Sequence, residues 1–90
     1  MVNRYHVYIS GRVQGVFFRN TTKKKAKELG INGWVKNLDD GRVEAVFEGD
    51  EEKLNEMLDF CEEGPRLARV DDVEVSSEEP ENIDGFEVIR

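Results

Sequence analysis

Apolar residues in this chain recur at every second position, then at every third or fourth, and the two spacings alternate in a set order. That order constrains the fold most tightly, because a period of two suits a pleated strand and a period near 3.6 suits a helix. In "YHVYISGRV", Tyr5, Val7, Ile9 and Val13 alternate with Arg4, His6, Tyr8, Ser10 and Arg12, as in a strand with one buried face. Phe18, Thr22, Ala26 and Leu29 then share one stripe of a helix that continues through "RNTTKKKAKELG" and stops at Gly30. "INGWVKNLDDGRVEAVFEG" reads as two strands about an Asp39-Asp40-Gly41 turn, with Val43, Ala45 and Phe47 on one face of the second. Asp50 stands where it would cap a second helix, "EEKLNEMLDFCEEG". Glu51 and Glu52 suit its positive first turn, Leu54, Met57, Leu58 and Cys61 form its buried seam, and Gly64-Pro65 ends it. "LARVDDVEVS" is a fourth strand bent at Asp71-Asp72, and "GFEVIR" is a short last strand.

The order is therefore β-α-β-β-α-β plus a short C-terminal strand. Two split β-α-β units of this kind predict an antiparallel sheet with both helices on one face, the ferredoxin-like α+β sandwich. Ninety residues make a single domain, 1–90, with an adequate but not large core. No repeat, low-complexity block or linker interrupts it.

Composition narrows the function. No apolar stretch approaches the roughly 20 residues that cross a bilayer, and "MVNRYHVYIS" lacks the apolar run of a signal peptide. The expected location is the cytoplasm. Cys61 is the single cysteine, which excludes an internal disulfide framework and a cysteine-based zinc site. The net charge of −7 argues against general binding to nucleic acid or to an anionic membrane, and favours a monomer. The charge is unevenly spread: residues 1–37 carry +7, from eight Lys/Arg and one acid, and residues 38–90 carry −14, from five and nineteen. A positive field over the first third can draw in an anion, while Lys23, Lys24, Lys25 and Lys27 also serve as a solvated helix face beside an acidic neighbour.

Within the basic third, "GRVQGVFFR" places a glycine-bearing bend directly before the first helix. A phosphate spreads its charge over several oxygens, so it needs several donors converging on a small sphere. Backbone N–H groups supply them where a tight bend enters a helix, whose first amides are free and whose dipole is positive there. Gly15 permits the bend, Val13, Val16 and Phe18 anchor it, and Arg19 stands at the helix start, where its planar fork can grip two oxygens. The bend matches neither the P-loop nor the dinucleotide fingerprint. From spacing alone it fits a plain strand-to-helix turn as well as an anion cradle.

"ISGRVQGVFFR" resembles the first signature of the acylphosphatase family, Gly-x-Val-Gln-Gly-Val-x-Phe-Arg. "GWVKNLDDGRVEAVFEG" resembles the second, through Gly33, Trp34, Asn37, Gly41, Val43 and Gly49. The resemblance covers essentially the whole chain and implies a cofactor-free hydrolase that splits the carboxyl-phosphate bond of small acyl phosphates. It assigns phosphate binding to Arg19 and to the loop Gln14, Gly15, Val16, Phe17 and Phe18. It makes Asn37 the residue that positions water, and with Arg19 the catalytic pair. Many relatives carry threonine after that asparagine, whereas this chain has Leu38.

The residue inventory points the same way. Arg19 is permanently charged and Asn37 does not titrate, so neither is an ordinary general acid or base. With no proton donor the leaving group must depart unaided. A carboxylate, with a reference pKa of about 4, does so; an alkoxide normally needs a proton or a metal. His6 reads as a surface histidine facing away from the core, and Cys61 as a packing residue. Asp39 and Asp40 invite a metal, but Asp-Asp-Gly between strands is what a hairpin turn requires, so no metal site is expected. Of the rival readings, an RNA-binding module would stack bases on Tyr8, a metallochaperone would need a Cys-x-x-Cys loop that is absent, and a non-catalytic module would bind anions without turnover.

Overall fold

The computed structural model describes residues 2–89. They form β1 (Asn3–Arg12), α1 (Phe18–Leu29), β2 (Asn32–Asn37), β3 (Val43–Gly49), α2 (Glu51–Glu63), β4 (Arg69–Glu78) and β5 (Phe86–Ile89). The predicted element order holds throughout; Arg90, counted in the last predicted strand, lies outside the described residues. Among the described residues, no helix is long and apolar enough to cross a membrane.

The period-two pattern of β1 becomes a two-faced strand. Val7 pairs with Ala45 and Val75, and Ile9 with Val43 and Val73, so apolar residues meet apolar ones across three strands. Val7, Ile9, Val43, Ala45 and Phe47 are fully buried beneath the two helices. From α1, Phe18 and Ala26 pack onto this face, and from α2, Leu54, Met57 and Cys61 do so. Leu58, placed in the same seam by its spacing, is only half-buried. Full burial of one such side chain contributes about 1.5–3 kcal/mol.

Local details follow the chain's chemistry. Gly30 takes the left-handed conformation and its N–H caps the carbonyls of Ala26 and Lys27. Asp50 occupies the N-cap position of α2 but makes no side-chain cap hydrogen bond. The bend expected at Asp71-Asp72 is a bulge: Ser10 pairs with Asp72 and Gly11 with Val70, leaving Asp71 as the extra residue. At Gly33 a Cβ would stand 1.8 Å from the Val46 carbonyl oxygen, so only glycine lets β2 close on β3 here.

The sheet order is β4-β1-β3-β2-β5, and one expectation fails. The sheet is mixed rather than wholly antiparallel, because β5 pairs with β2 in parallel. The reason lies in the path between β4 and β5. β4 ends with Glu78 opposite Arg4, at the end of the sheet where β3 finishes and β2 begins. The chain crosses that end and enters the far edge beside Gly33, so it must run in the direction of β2. Glu48, only 1% exposed, ties the crossing down. Its carboxylate accepts hydrogen bonds from the N–H groups of Glu81 (2.8 Å) and Ile83 (2.9 Å) and from the Arg4 guanidinium (3.0 Å). Burial alone pushes the Glu48 carboxyl up, but these three donors outweigh it and hold the group below its ordinary value.

Candidate active site

The β1–α1 connection is pinned at two points and open between them. Val13 and Val16 are buried, whereas Gly15 and Phe17 are exposed. Both exposed residues are left-handed, Gly15 at φ 74° and Phe17 at φ 64°. For an aromatic residue that conformation costs on the order of 1–3 kcal/mol and persists only where the surroundings impose it. Phe17 sits at the N-cap of α1, so the strained turn delivers the chain straight into the helix.

The helix start is bare. It has no side-chain cap and no acidic residue in its first turn. Thr21 N–H is hydrogen-bonded to the Phe17 carbonyl at 3.0 Å, which leaves the amides of Phe18, Arg19 and Asn20 without intrahelical partners. These residues join Val13, Gly15, Phe17, Asn37 and Val88 in lining a cleft of about 200 Å³. A Cβ on Gly15 would meet no protein atom within 4 Å, so the space above it belongs to the cleft. The cleft is thus bordered by the uncapped N-terminus of a helix, whose dipole is positive, and by Arg19.

Arg19 is half-buried, and its Nη1 donates a long 3.5 Å hydrogen bond to the Ile89 carbonyl of β5. Asn37 is the last residue of β2, paired with Val43. Its Oδ1 is buried and has no hydrogen-bond partner among the described residues. Gln14 turns away from the cleft: its Nε2 donates to the carbonyls of Leu38 (2.7 Å) and Arg42 (3.0 Å) in the β2–β3 turn.

The other residues singled out by sequence lie elsewhere. His6 is on the open face of the sheet, as expected, but it is not a free surface side chain. Its ring nitrogens lie 2.6 Å from a Glu44 oxygen and 2.8 Å from a Glu78 oxygen. Tyr8 stacks on His6 and donates its hydroxyl to Glu44 at 3.0 Å, a hydrogen bond that raises its pKa, and the Arg42 guanidinium covers its ring. Asp40 accepts from Arg42 N–H and Nε at 3.0 and 2.8 Å, which holds its carboxyl below the ordinary range. Cys61 is sealed in the core, and burial pushes its thiol up.

Comparison with known proteins decides the family. The acylphosphatase family model matches residues 5–88. An acylphosphatase from Haloarcula marismortui is 60% identical over 85 residues, covering 94% of this chain and 93% of its own. The chain belongs to the acylphosphatase family. Two solved members of the family have the same architecture. An acylphosphatase from Coxiella burnetii matches with a TM-score of 0.94 at 41% identity, over 98% of this chain and 93% of that one. The acylphosphatase from Bacillus subtilis matches with a TM-score of 0.95 at 35% identity, over 100% of both chains. The ferredoxin-like sandwich and the family resemblance both hold.

Of the residues that the acylphosphatase signatures single out, Gly15, Phe17, Phe18, Arg19 and Asn37 line one cleft. Gln14 and Val16 lie outside that lining; Val16 is an anchor in the core and Gln14 a bridge to the hairpin. Sequence reading overlooked Asn20 and Val88. The place of Asn20 in the first helical turn was a usable signal, since its amide is one of the free donors. Val88 gave none, because the neighbour of β5 is not written in its alternation.

Proposed function

We propose that this cleft binds the phosphoryl group of a small acyl phosphate and that water displaces the carboxylate in line. The free amides of Phe18, Arg19 and Asn20, the left-handed turn at Gly15 and the fork of Arg19 hold the phosphoryl oxygens and stabilise the charge of the transition state. The single observation that carries the reading is that Asn37, from the end of β2, lines the same cleft as Arg19 and the uncapped start of α1. The side-chain amide of Asn37 both donates and accepts hydrogen bonds, so it can orient a water in the cleft. A water held there faces the phosphorus from beside the helix end.

The lining explains the substrate class. It holds valine, glycine, phenylalanine, asparagine and arginine, none of which exchanges a proton near neutral pH. A leaving group must therefore be stable as it departs, and a carboxylate is. The proton lost by the attacking water leaves on a phosphoryl oxygen or to solvent. In this reading the protein acts as a metal-independent monomer in the cytoplasm, and its net charge of −7 opposes self-association.

A continuous assay with benzoyl phosphate, run with and without EDTA, tests the proposal. The expected outcome is hydrolysis indifferent to chelator. Arg19→Ala should lose on the order of 10³ in kcat/KM, and Arg19→Lys should not restore it because a point charge replaces a fork. Near-full turnover in Arg19→Ala would overturn the assignment.

A further inference from the structure

We infer that Gln14 is a positioning residue: its side-chain amide sets the place of Asn37 relative to the anion cradle, and it is not itself a phosphate ligand. The inference rests on the role proposed for Asn37 and extends it to a residue outside the cleft lining.

The two halves of the site come from distant parts of the chain. The free amides and Arg19 belong to the β1–α1 connection and the start of α1, whereas Asn37 belongs to the end of β2. In-line attack needs the distance between them held to a fraction of an ångström. Gln14 spans that gap. Its Nε2 donates at 2.7 Å to the carbonyl of Leu38, the residue directly after Asn37. It also donates at 3.0 Å to the carbonyl of Arg42, the residue directly before Val43, which is the ladder partner of Asn37. One amide thus grips both strands of the hairpin a single residue beyond the Asn37–Val43 pair.

These bonds are not needed to satisfy the backbone. The Leu38 carbonyl already accepts from Gly41 N–H at 3.2 Å, and the Arg42 carbonyl from Leu38 N–H at 2.8 Å. Without Gln14 neither oxygen is left unpaired, so the hairpin closes regardless. What the amide adds is a fixed separation between loop and hairpin. Both of its N–H groups are committed to these carbonyls, which leaves that nitrogen none to offer a phosphate.

The test uses Gln14→Met, which keeps the length and volume but has no donor, together with Asn37→Ala and the double variant. Benzoyl phosphate turnover and the inhibition constant of inorganic phosphate are measured on variants whose melting curves show them folded. Gln14→Met should lower kcat on the order of 10- to 100-fold, with phosphate inhibition within about threefold of the parent. In the Asn37→Ala background it should cost no more than about twofold further, since a residue acting through Asn37 has nothing left to position. Three results would overturn the inference: unchanged kcat in Gln14→Met, phosphate affinity falling in step with kcat, or multiplying losses in the double variant. Full turnover in Asn37→Ala alone is a separate outcome, which removes the role of Asn37 and the inference with it.

Discussion

Arg19 and Asn37 divide the proposed chemistry between a fixed charge and a neutral amide, and their environments fit the division. Arg19 stands half-buried at a helix start with no acid in its first turn, and Asn37 lines the same cleft from the end of β2. Asn37→Ala should therefore cut kcat by about 10- to 100-fold while inorganic phosphate inhibits almost as before; a parallel loss of both would make Asn37 a phosphate ligand instead. These two residues were legible in the sequence because each sits inside a short local pattern. Gln14 was legible as part of the loop but not in its contacts. Its partners lie 24 and 28 positions away, and no local spacing encodes a side chain's distant acceptor. His6 is the same case, read as surface until Glu44 and Glu78 closed around it.

Among the elements, periodicity identified every strand and helix, while the side of the sheet on which β5 docks stayed hidden. Alternation states which face a strand buries, not which strand lies beside it. The deciding residue is Glu48, which in sequence is one more outward carboxylate on β3. In the fold it is buried and accepts from two backbone amides and from Arg4, itself only 8% exposed. Glu48→Ala should cost about 3 kcal/mol, because it orphans those two amides and takes one carboxylate from Arg4, which keeps Glu78 and Glu81. Chemical denaturation measures this directly, and a loss under about 1 kcal/mol would show that the crossing is held by other contacts. Gly33 carries comparable structural information in a simpler form: its missing side chain is what lets β2 and β3 meet.

For the molecule as a whole, charge sets two measurable behaviours. Lys25 on α1 shares a shallow surface depression with Glu56, Asp59 and Glu63 of α2, whose negative charge opposes part of the field of the basic helix. If that field guides an anionic substrate, KM for benzoyl phosphate should rise severalfold between about 0.05 and 0.5 M salt; a fall would mean that the overall −7 charge dominates. Acid should act on stability rather than on the cleft. Glu44, Glu48 and Glu78 are all held below their ordinary value of 4.5. In the unfolded chain these groups take up protons near that value while the folded chain still resists. Stability is therefore fully present above about pH 4.5 and declines as pH falls below it. Melting temperature followed from about pH 7 to about pH 3 should show this decline, with a shallower slope in Glu48→Gln. A flat profile would mean that the carboxylate network contributes nothing.

The parallel docking of β5 has one more effect. Val88 walls the cleft and the Ile89 carbonyl receives Arg19, so the last-built strand completes a pocket whose signature residues all lie at or before Gly49. A chain cut ahead of Phe86 would keep every motif residue and still lack one side of its anion site. Fraying of this short outer strand, four residues long, would take the Ile89 carbonyl away from Arg19. Hydrogen exchange at the amides of 86–89 thus reports on how often the arginine loses that acceptor.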